Sequence, residues 1–304
     1  NLALNDMISC PLCENKVAAR NALLLEGSRL VVCPVCHIYF MDPMTIPETT
    51  FYNNDYYDSW GVREKIIPEH VVCLKEKNMR LHLEEIRKIK PHGRVLEIGC
   101  AMGFFLKQAR ILGYEVVGVE VSREACDVAR FFVGEENIHN EEFGEVKFEQ
   151  ESFDIIFLSD VIEHIPDPSR IFKEMNRVLK ENGIIYMLTP DPEHWSRKLL
   201  GSNWVHFKDE HLIFYPRRTM KWIEKEHGLI LKECSKVVKY SNLNYLQTQL
   251  DHFNFRILSK ISLIIRKAFP KALNEFLVPI SLGEIRYVLQ KPAIYHKKHF
   301  DFFK

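Results

Sequence analysis

Two pairs of cysteines are the tightest chemical signal in the 304-residue chain: Cys10-Pro11-Leu12-Cys13 and Cys33-Pro34-Val35-Cys36, with nineteen residues between them. A Cys-x-x-Cys turn aims two sulfurs at one point, and two such turns complete a tetrahedral site suited to zinc. Four thiolates leave no open position, so the ion would be structural. The competing reading is a redox dithiol, but that motif opens a helix after a strand, and neither pair has that setting. His37, beside Cys36, is not needed as a ligand.

The second signal is Val95-Leu96-Glu97-Ile98-Gly99-Cys100-Ala101-Met102-Gly103. Here an apolar strand runs into a turn whose glycines let the backbone approach a ligand closely. Glu120 closes the next strand, where a carboxylate can take both hydroxyls of a ribose. The dinucleotide fingerprint Gly-x-Gly-x-x-Gly is not matched: the spacing is Gly-x-x-x-Gly, with Ala101 in the middle. This suits a nucleoside without a pyrophosphate. For the adenine contact, Asn140, Glu141 and Glu142 are all candidates.

Asp160, Glu163 and His164 form a third group. At i, i+3 and i+4 of a starting helix they share one face and could hold a divalent ion. Alternatively, Asp160 lines a ligand pocket while Glu163 and His164 orient the loop. His164 is also a candidate general base, because imidazole titrates near working pH. His194, His206 and His211 follow among Trp195, Trp204, Phe207, Phe214 and Tyr215, a lining suited to a small molecule. His211 is the first candidate for a substrate or base role.

Elements that would position these groups are readable from apolar spacing. A helix is expected over 68–90, strands at 94–98, 115–120, 153–159 and 183–189, and helices at 104–112, 123–132 and 168–180 between them. A helix at 219–227, a strand near 229–237 and a last strand at 284–290 complete the series, with a weak edge strand near 137–139. Continuous apolar strands alternating with helices imply an α/β fold with a parallel sheet covered on both faces. The domain reading is a four-cysteine module over 1–45, a Tyr-rich arm and helix over 46–90, the α/β core over 91–292 and a tail over 293–304. Residues 241–280 read as an amphipathic helical insertion before the last strand.

Composition limits the alternatives. Lys+Arg and Asp+Glu are both 41, whereas a dedicated nucleic-acid binder usually carries a basic excess. The first residues show no secretory pattern, and no run approaches the roughly 18–20 apolar residues of a membrane span. With four of the eight cysteines in tight pairs and four scattered, a reduced cytoplasmic protein with one metal site is expected.

Residues 91–292 resemble the class I S-adenosylmethionine-dependent methyltransferases, in particular the ubiquinone-biosynthesis O-methyltransferases and related small-molecule enzymes. The resemblance rests on Glu97–Gly103, Val119-Glu120 and Ser152–Ile156, then on Asp160-Val161-Ile162-Glu163-His164-Ile165-Pro166-Asp167-Pro168, Arg177–Gly183 and Leu188-Thr189-Pro190, in order. It implies a Rossmann-like fold and S-adenosylmethionine as cofactor. By the same resemblance Gly99 and Gly103 form the methionine-side loop, with Glu97 and Cys100 beside them. Glu120 and Val121 lie at the ribose, and Asp160 is a wall of the pocket. Ala101 departs from the family's usual glycine, which puts the loop's shape in question. A four-cysteine module ahead of such a core resembles a bacterial subgroup acting on sugars, lipids or secondary metabolites. There a Tyr-rich arm, here Tyr52, Tyr56 and Tyr57, precedes the core; the resemblance implies that Tyr52 and Tyr57 reach the cofactor, and the alternative is that the tyrosines pack the module onto the core.

The expected function is methyl transfer to an oxygen, nitrogen or carbon of a small molecule. The alternatives are a nucleic-acid methyltransferase gripping its substrate with the zinc module, and a non-catalytic cofactor-binding protein. Asp160-Val161-Ile162-Glu163 lacks the Asn/Asp-Pro-Pro-aromatic run used on base amines, and the module carries only Lys16, Arg20 and Arg29 as cations. The 241–280 insertion could close over the acceptor, form a dimer contact, touch a membrane surface or simply pack against the core; a lid is the favoured expectation.

Overall fold

The computed structural model describes residues 7–44, 67–252, 276–281 and 283–293, together with residues 260, 262–264, 266 and 267. Tyr52 and Tyr57 lie outside the described residues, as does much of the insertion.

Short polar-apolar runs build the N-terminal part: β1 (Met7–Ser9), β2 (Lys16–Ala18), β3 (Leu23–Leu24), β4 (Arg29–Val32) and β5 (Tyr39–Asp42). Helix α1 (Glu69–Ile89) then leads to β6 (Arg94–Ile98), α2 (Phe104–Ile111), β7 (Glu115–Val119), α3 (Arg123–Val133) and β8 (Ile138–His139). The chain continues through β9 (Phe153–Ser159), α4 (Pro168–Val178), β10 (Leu179–Pro190), α5 (Trp195–Leu200), β11 (Ile213–Phe214) and α6 (Arg217–His227). Last come β12 (Ile230–Lys236), β13 (Lys239–Ser241), α7 (Leu243–His252), β14 (Val278–Ile280) and β15 (Glu284–Gln290).

Seven strands form the central sheet in the order β12-β15-β10-β9-β6-β7-β8. The pairs from β10 to β8 are parallel, while β15 runs antiparallel to both β10 and β12. The sheet is therefore mixed rather than wholly parallel. Alternate strand residues serve opposite faces. Val95, Ile155, Phe157, Ile184 and Tyr186 pack with residues of α1, α2 and α3. Leu96, Ile156, Leu158, Ile185 and Met187 pack with residues of α4, α6 and the cysteine module.

Helix ends follow local chemistry. The Ser122 hydroxyl caps α3 by accepting from Ala125 N, and Asp167 caps α4 by accepting from Arg170 N, with Pro168 in the first turn. Two boundaries differ from the sequence expectation. Helix α4 stops at Val178, and β10 begins at Leu179, where it pairs with Phe153 before an irregularity that resumes at Ile184. The ends of the 241–280 segment are strands: β13 and β14 pair Lys239 with Ile280 and Ser241 with Val278.

A four-stranded sheet, β11-β5-β4-β3, joins the N-terminal module to the core, because β11 lies between α5 and α6 in sequence. Among the described residues no helix is long and apolar enough to cross a membrane.

Candidate active site and four-cysteine cluster

The C-terminal ends of β6, β7, β9 and β10 converge on one edge of the sheet. After β6, Gly99 and Gly103 have φ of +68° and +76°, left-handed values natural to glycine. Side chains would also collide there: a Cβ on Gly99 would lie 2.5 Å from Val161 Cγ2, and one on Gly103 2.9 Å from Ala129 Cβ. Ala101 keeps the loop's turn with φ of 45°.

Glu120 holds this loop to the next strand. Its carboxylate accepts from Ala101 N at 2.9 Å and Ser122 N at 2.8 Å. Each carboxylate oxygen still has accepting capacity, so the ribose-binding role is compatible with this tether. Burial lifts the Glu120 pKa against the pull of those N–H groups. Glu97 is lifted much further, by burial first and by Glu120's charge second. Glu97 Oε2 is buried with no hydrogen-bond partner. Burial thus favours the protonated form at both glutamates, more strongly at Glu97. The Glu97 orphan and the two-glycine cradle are what a nucleoside with a polar amino-acid tail would complete.

Other expected cofactor residues divide. The Cys100 thiol turns into the core, where Gly118 leaves room for it, so only its backbone faces the loop. Asn140 donates to the carbonyls of Glu120 at 3.0 Å and Val121 at 2.9 Å, fixing that backbone with its amide.

Asp160, Glu163 and His164 do not share a helix face. Asp160 has φ of 55°, and residues Ile162–His164 form a single 3₁₀ turn. Asp160 instead pairs with Lys239 at 3.0 Å, and Lys239 also reaches Glu284 at 2.6 Å. Burial opposes ionisation of Asp160, but Lys239 outweighs it and holds the carboxyl well below the usual range. Burial likewise works against the Lys239 charge, and the two carboxylates overcome it. Glu163 is fully buried, with Thr189 donating to it at 3.1 Å, and burial followed by Asp160 raises its pKa far above normal.

His164 meets His211 edge-to-face, ring centroids 4.8 Å apart. Ligand atoms of Glu163, His164 and His211 lie within 4.8 Å of one another, a set compatible with a divalent cation; His211 takes the place expected for Asp160. Burial, then nearby Lys208, lowers His164 to about 4. Burial and His164 lower His211 further, so both rings are neutral at neutral pH. His211 Nδ1 is buried without a hydrogen-bond partner. His206 stacks 6.4 Å from His211, while His194 turns to Ser196 at 2.7 Å. Sequence reasoning missed Lys239 and Glu284, because neither stands in a motif.

The four cysteines cluster with all sulfurs within 4.8 Å. Cys10–Cys36 and Cys13–Cys33 sulfurs are each 3.5 Å apart, near the roughly 3.8 Å edge of a tetrahedron with Zn–S of about 2.3 Å. The cluster is compatible with zinc. Without a cation, the hydrogen bond from Cys36 draws Cys10 down to about 5 while Cys36 is driven up; a dication removes that conflict.

Comparison with known proteins gives the family and the fold. Residues 74–233 match a family model described as a methyltransferase domain. The ubiquinone biosynthesis O-methyltransferase of Pelagibacter ubique is 26% identical over 202 residues, 65% of this chain and 77% of that protein. The enzyme of the same name from Hahella chejuensis is 27% identical over 172 residues, 54% of this chain and 67% of that one. A Pyrococcus horikoshii protein shares the fold with a TM-score of 0.52 at 17% identity, covering 79% of this chain and 99% of that one. Haemonchus contortus phosphoethanolamine N-methyltransferase 2, solved with S-adenosyl-L-methionine, gives 0.50 at 19% identity, covering 84% and 62%.

Proposed function

The chain belongs to the methyltransferase-domain family, and from that premise we propose how its residues divide the work of an S-adenosylmethionine-dependent transfer to a small molecule. Bound S-adenosylmethionine supplies a methyl group already activated on a sulfonium. In this reading Gly99 and Gly103 admit the methionine end, with Glu97 and the Cys100 backbone beside it. Glu120 accepts from the ribose hydroxyls, and the Val121 backbone flanks them. Asp160 walls the pocket at the end of β9, and Tyr52 and Tyr57 reach over it.

On the acceptor side stand His211 and His164. The observation that carries this assignment is the buried, unpartnered Nδ1 of His211 next to a second neutral imidazole. A neutral ring can take a proton from an acceptor hydroxyl as the methyl is transferred, so oxygen is the acceptor atom this geometry favours. The protein's main contribution is to align acceptor and methyl. The 241–280 segment, held at its base by β13 and β14, serves as the lid. The four-cysteine cluster holds one structural zinc, and the other four cysteines, none in a disulfide, fit a cytoplasmic setting.

The test is release of S-adenosylhomocysteine with a panel of sugar, lipid-linked and aromatic hydroxyl acceptors. Turnover with a hydroxyl acceptor that deletion of 242–277 abolishes, with cofactor affinity retained, supports the reading. Turnover confined to RNA or DNA overturns it.

A further inference from the structure

The cysteine cluster sits at the turn of the β4–β5 hairpin. Val32 pairs with Tyr39 as its last rung, and the knuckle Cys33–Cys36 closes it, with His37 N donating to Cys33 O at 3.0 Å and Cys33 N to Ile38 O at 3.0 Å. At the hairpin's open end, Arg29 is almost wholly buried and pairs with Asp42 at 2.7 Å. The other knuckle, Cys10–Cys13, belongs to the β1–β2 ribbon, a separate sheet. Residues 19–22 and a shared apolar cluster join ribbon and hairpin, and a bound metal would add a cross-link between their two knuckles.

The far edge of β5 is used by the acceptor side. Phe40 pairs with Ile213 and Tyr39 with Phe214, and Met41 N donates to Leu212 O at 2.8 Å. The Leu212 N–H turns the other way and donates to Glu163 O at 2.8 Å. The peptide that follows His211 is thus clamped between the cysteine hairpin and the loop carrying Glu163 and His164. β11 has only two residues, too few to keep an extended conformation without neighbours on its edges. Phe40, Ile38, Cys33 and Cys36 share one buried cluster with Leu212, Ile213 and Tyr215.

We infer that the four-cysteine module is the positioning element for His211: metal at Cys10, Cys13, Cys33 and Cys36 fixes the hairpin, and β5 fixes the strand that sets the imidazole against His164. This rests on the acceptor-side role proposed for His211, but the positioning can be measured without it. Among the described residues no strand pairing ties β6, β7 or the cofactor loop to the module; they share only a buried apolar cluster with it, so metal loss should separate the two halves of the site.

The experiment is hydrogen exchange by mass spectrometry on the full chain, with zinc bound and after chelation, beside calorimetry with S-adenosylhomocysteine. The expected result is exchange faster by about tenfold or more in peptides spanning 204–214 and 39–42, with peptides over 94–119 changing by less than about twofold. S-adenosylhomocysteine affinity should stay within about threefold. Where turnover is measurable, kcat/KM for the acceptor falls while KM for the cofactor holds. Phe40→Ala guards against wholesale unfolding of the stripped protein: it should keep one zinc per chain yet loosen 204–214 in the same way. Unchanged protection of 204–214 after metal release overturns the inference, and so does loss spread evenly over 94–119. Should no acceptor be methylated while the exchange contrast holds, the positioning stands and the proposed function falls.

Discussion

The two sides of the site are built by opposite means. The cofactor side is local: Gly99, Ala101, Gly103, Glu120 and Ser122 come from two adjacent strand-turn-helix units, joined by backbone hydrogen bonds to one carboxylate. The acceptor side is assembled from distance: His164 meets His211 edge to face, the Glu163 carbonyl accepts from the Leu212 N–H, and the strand after His211 pairs with β5. A site made of backbone geometry tolerates change in most side chains but not at its glycines. A site made of side chains from several segments fails wherever one segment loosens.

The largest expected effect tests the acceptor side. His211→Ala should lower kcat by about 10²–10⁴-fold if the ring is the base, with S-adenosylhomocysteine affinity unchanged in calorimetry. A fall in affinity instead would erase the division between the sides. On the cofactor side, Gly99→Val puts branched atoms where even a Cβ meets Val161 at 2.5 Å, at a φ that such residues avoid. Binding should weaken by about 3 kcal/mol or more, while hydrogen exchange in 204–214 stays as in the parent. Glu120→Ala should cost about 1–3 kcal/mol of cofactor affinity by leaving ribose hydroxyls unpaired; unchanged affinity would remove Glu120 from the ribose.

Outside both sides lies a pH dependence of stability. His82 is buried against Tyr186 and is lowered from 6.5 to about 4, by burial first and Lys239 second. Between those values the unfolded chain binds a proton that the folded chain refuses. Stability should therefore decline as pH falls from about 6.5 to about 4, and His82→Phe should flatten that part of a urea-melt series. An unaltered slope would move the effect to other buried histidines, such as His227, which burial also lowers.

What the sequence revealed follows the same division. The turn at Gly99 and Gly103, the position of Glu120 at a strand end and the places of the core strands along the chain were legible because they depend on neighbours in sequence and on apolar runs such as 153–159; the antiparallel β15 was not. The Cys-x-x-Cys pairs were legible because two sulfurs at fixed spacing already define half a metal site. The union of His211 with Glu163 was not, because a two-residue strand such as Ile213–Phe214 has no periodicity to detect and its partner Phe40 lies in another module. Asp160 misled for a related reason: spacing i, i+3, i+4 predicts a helix face, but a positive φ at Asp160 and a 3₁₀ turn replaced it. Lys239 gave no signal, since a lone lysine just past the expected strand at 229–237 reads as solvent-facing. Asn140, weighed for adenine, spends its amide on two carbonyls, a commitment that only coordinates reveal.

The pairing of β5 with β11 also has a consequence for biosynthesis. Phe40 and its partner Ile213 are separated by most of the core, so the hairpin leaves the ribosome long before the strand that covers its edge. At about 5–20 residues per second, the intervening stretch of roughly 170 residues takes on the order of 10–30 s to emerge. Throughout that interval β5 presents an open row of N–H and C=O groups, a template for pairing with another chain. If the four cysteines take up zinc, early capture by the nascent N-terminus would order the hairpin before its partner strand arrives, and soluble yield would then depend on zinc supply during translation.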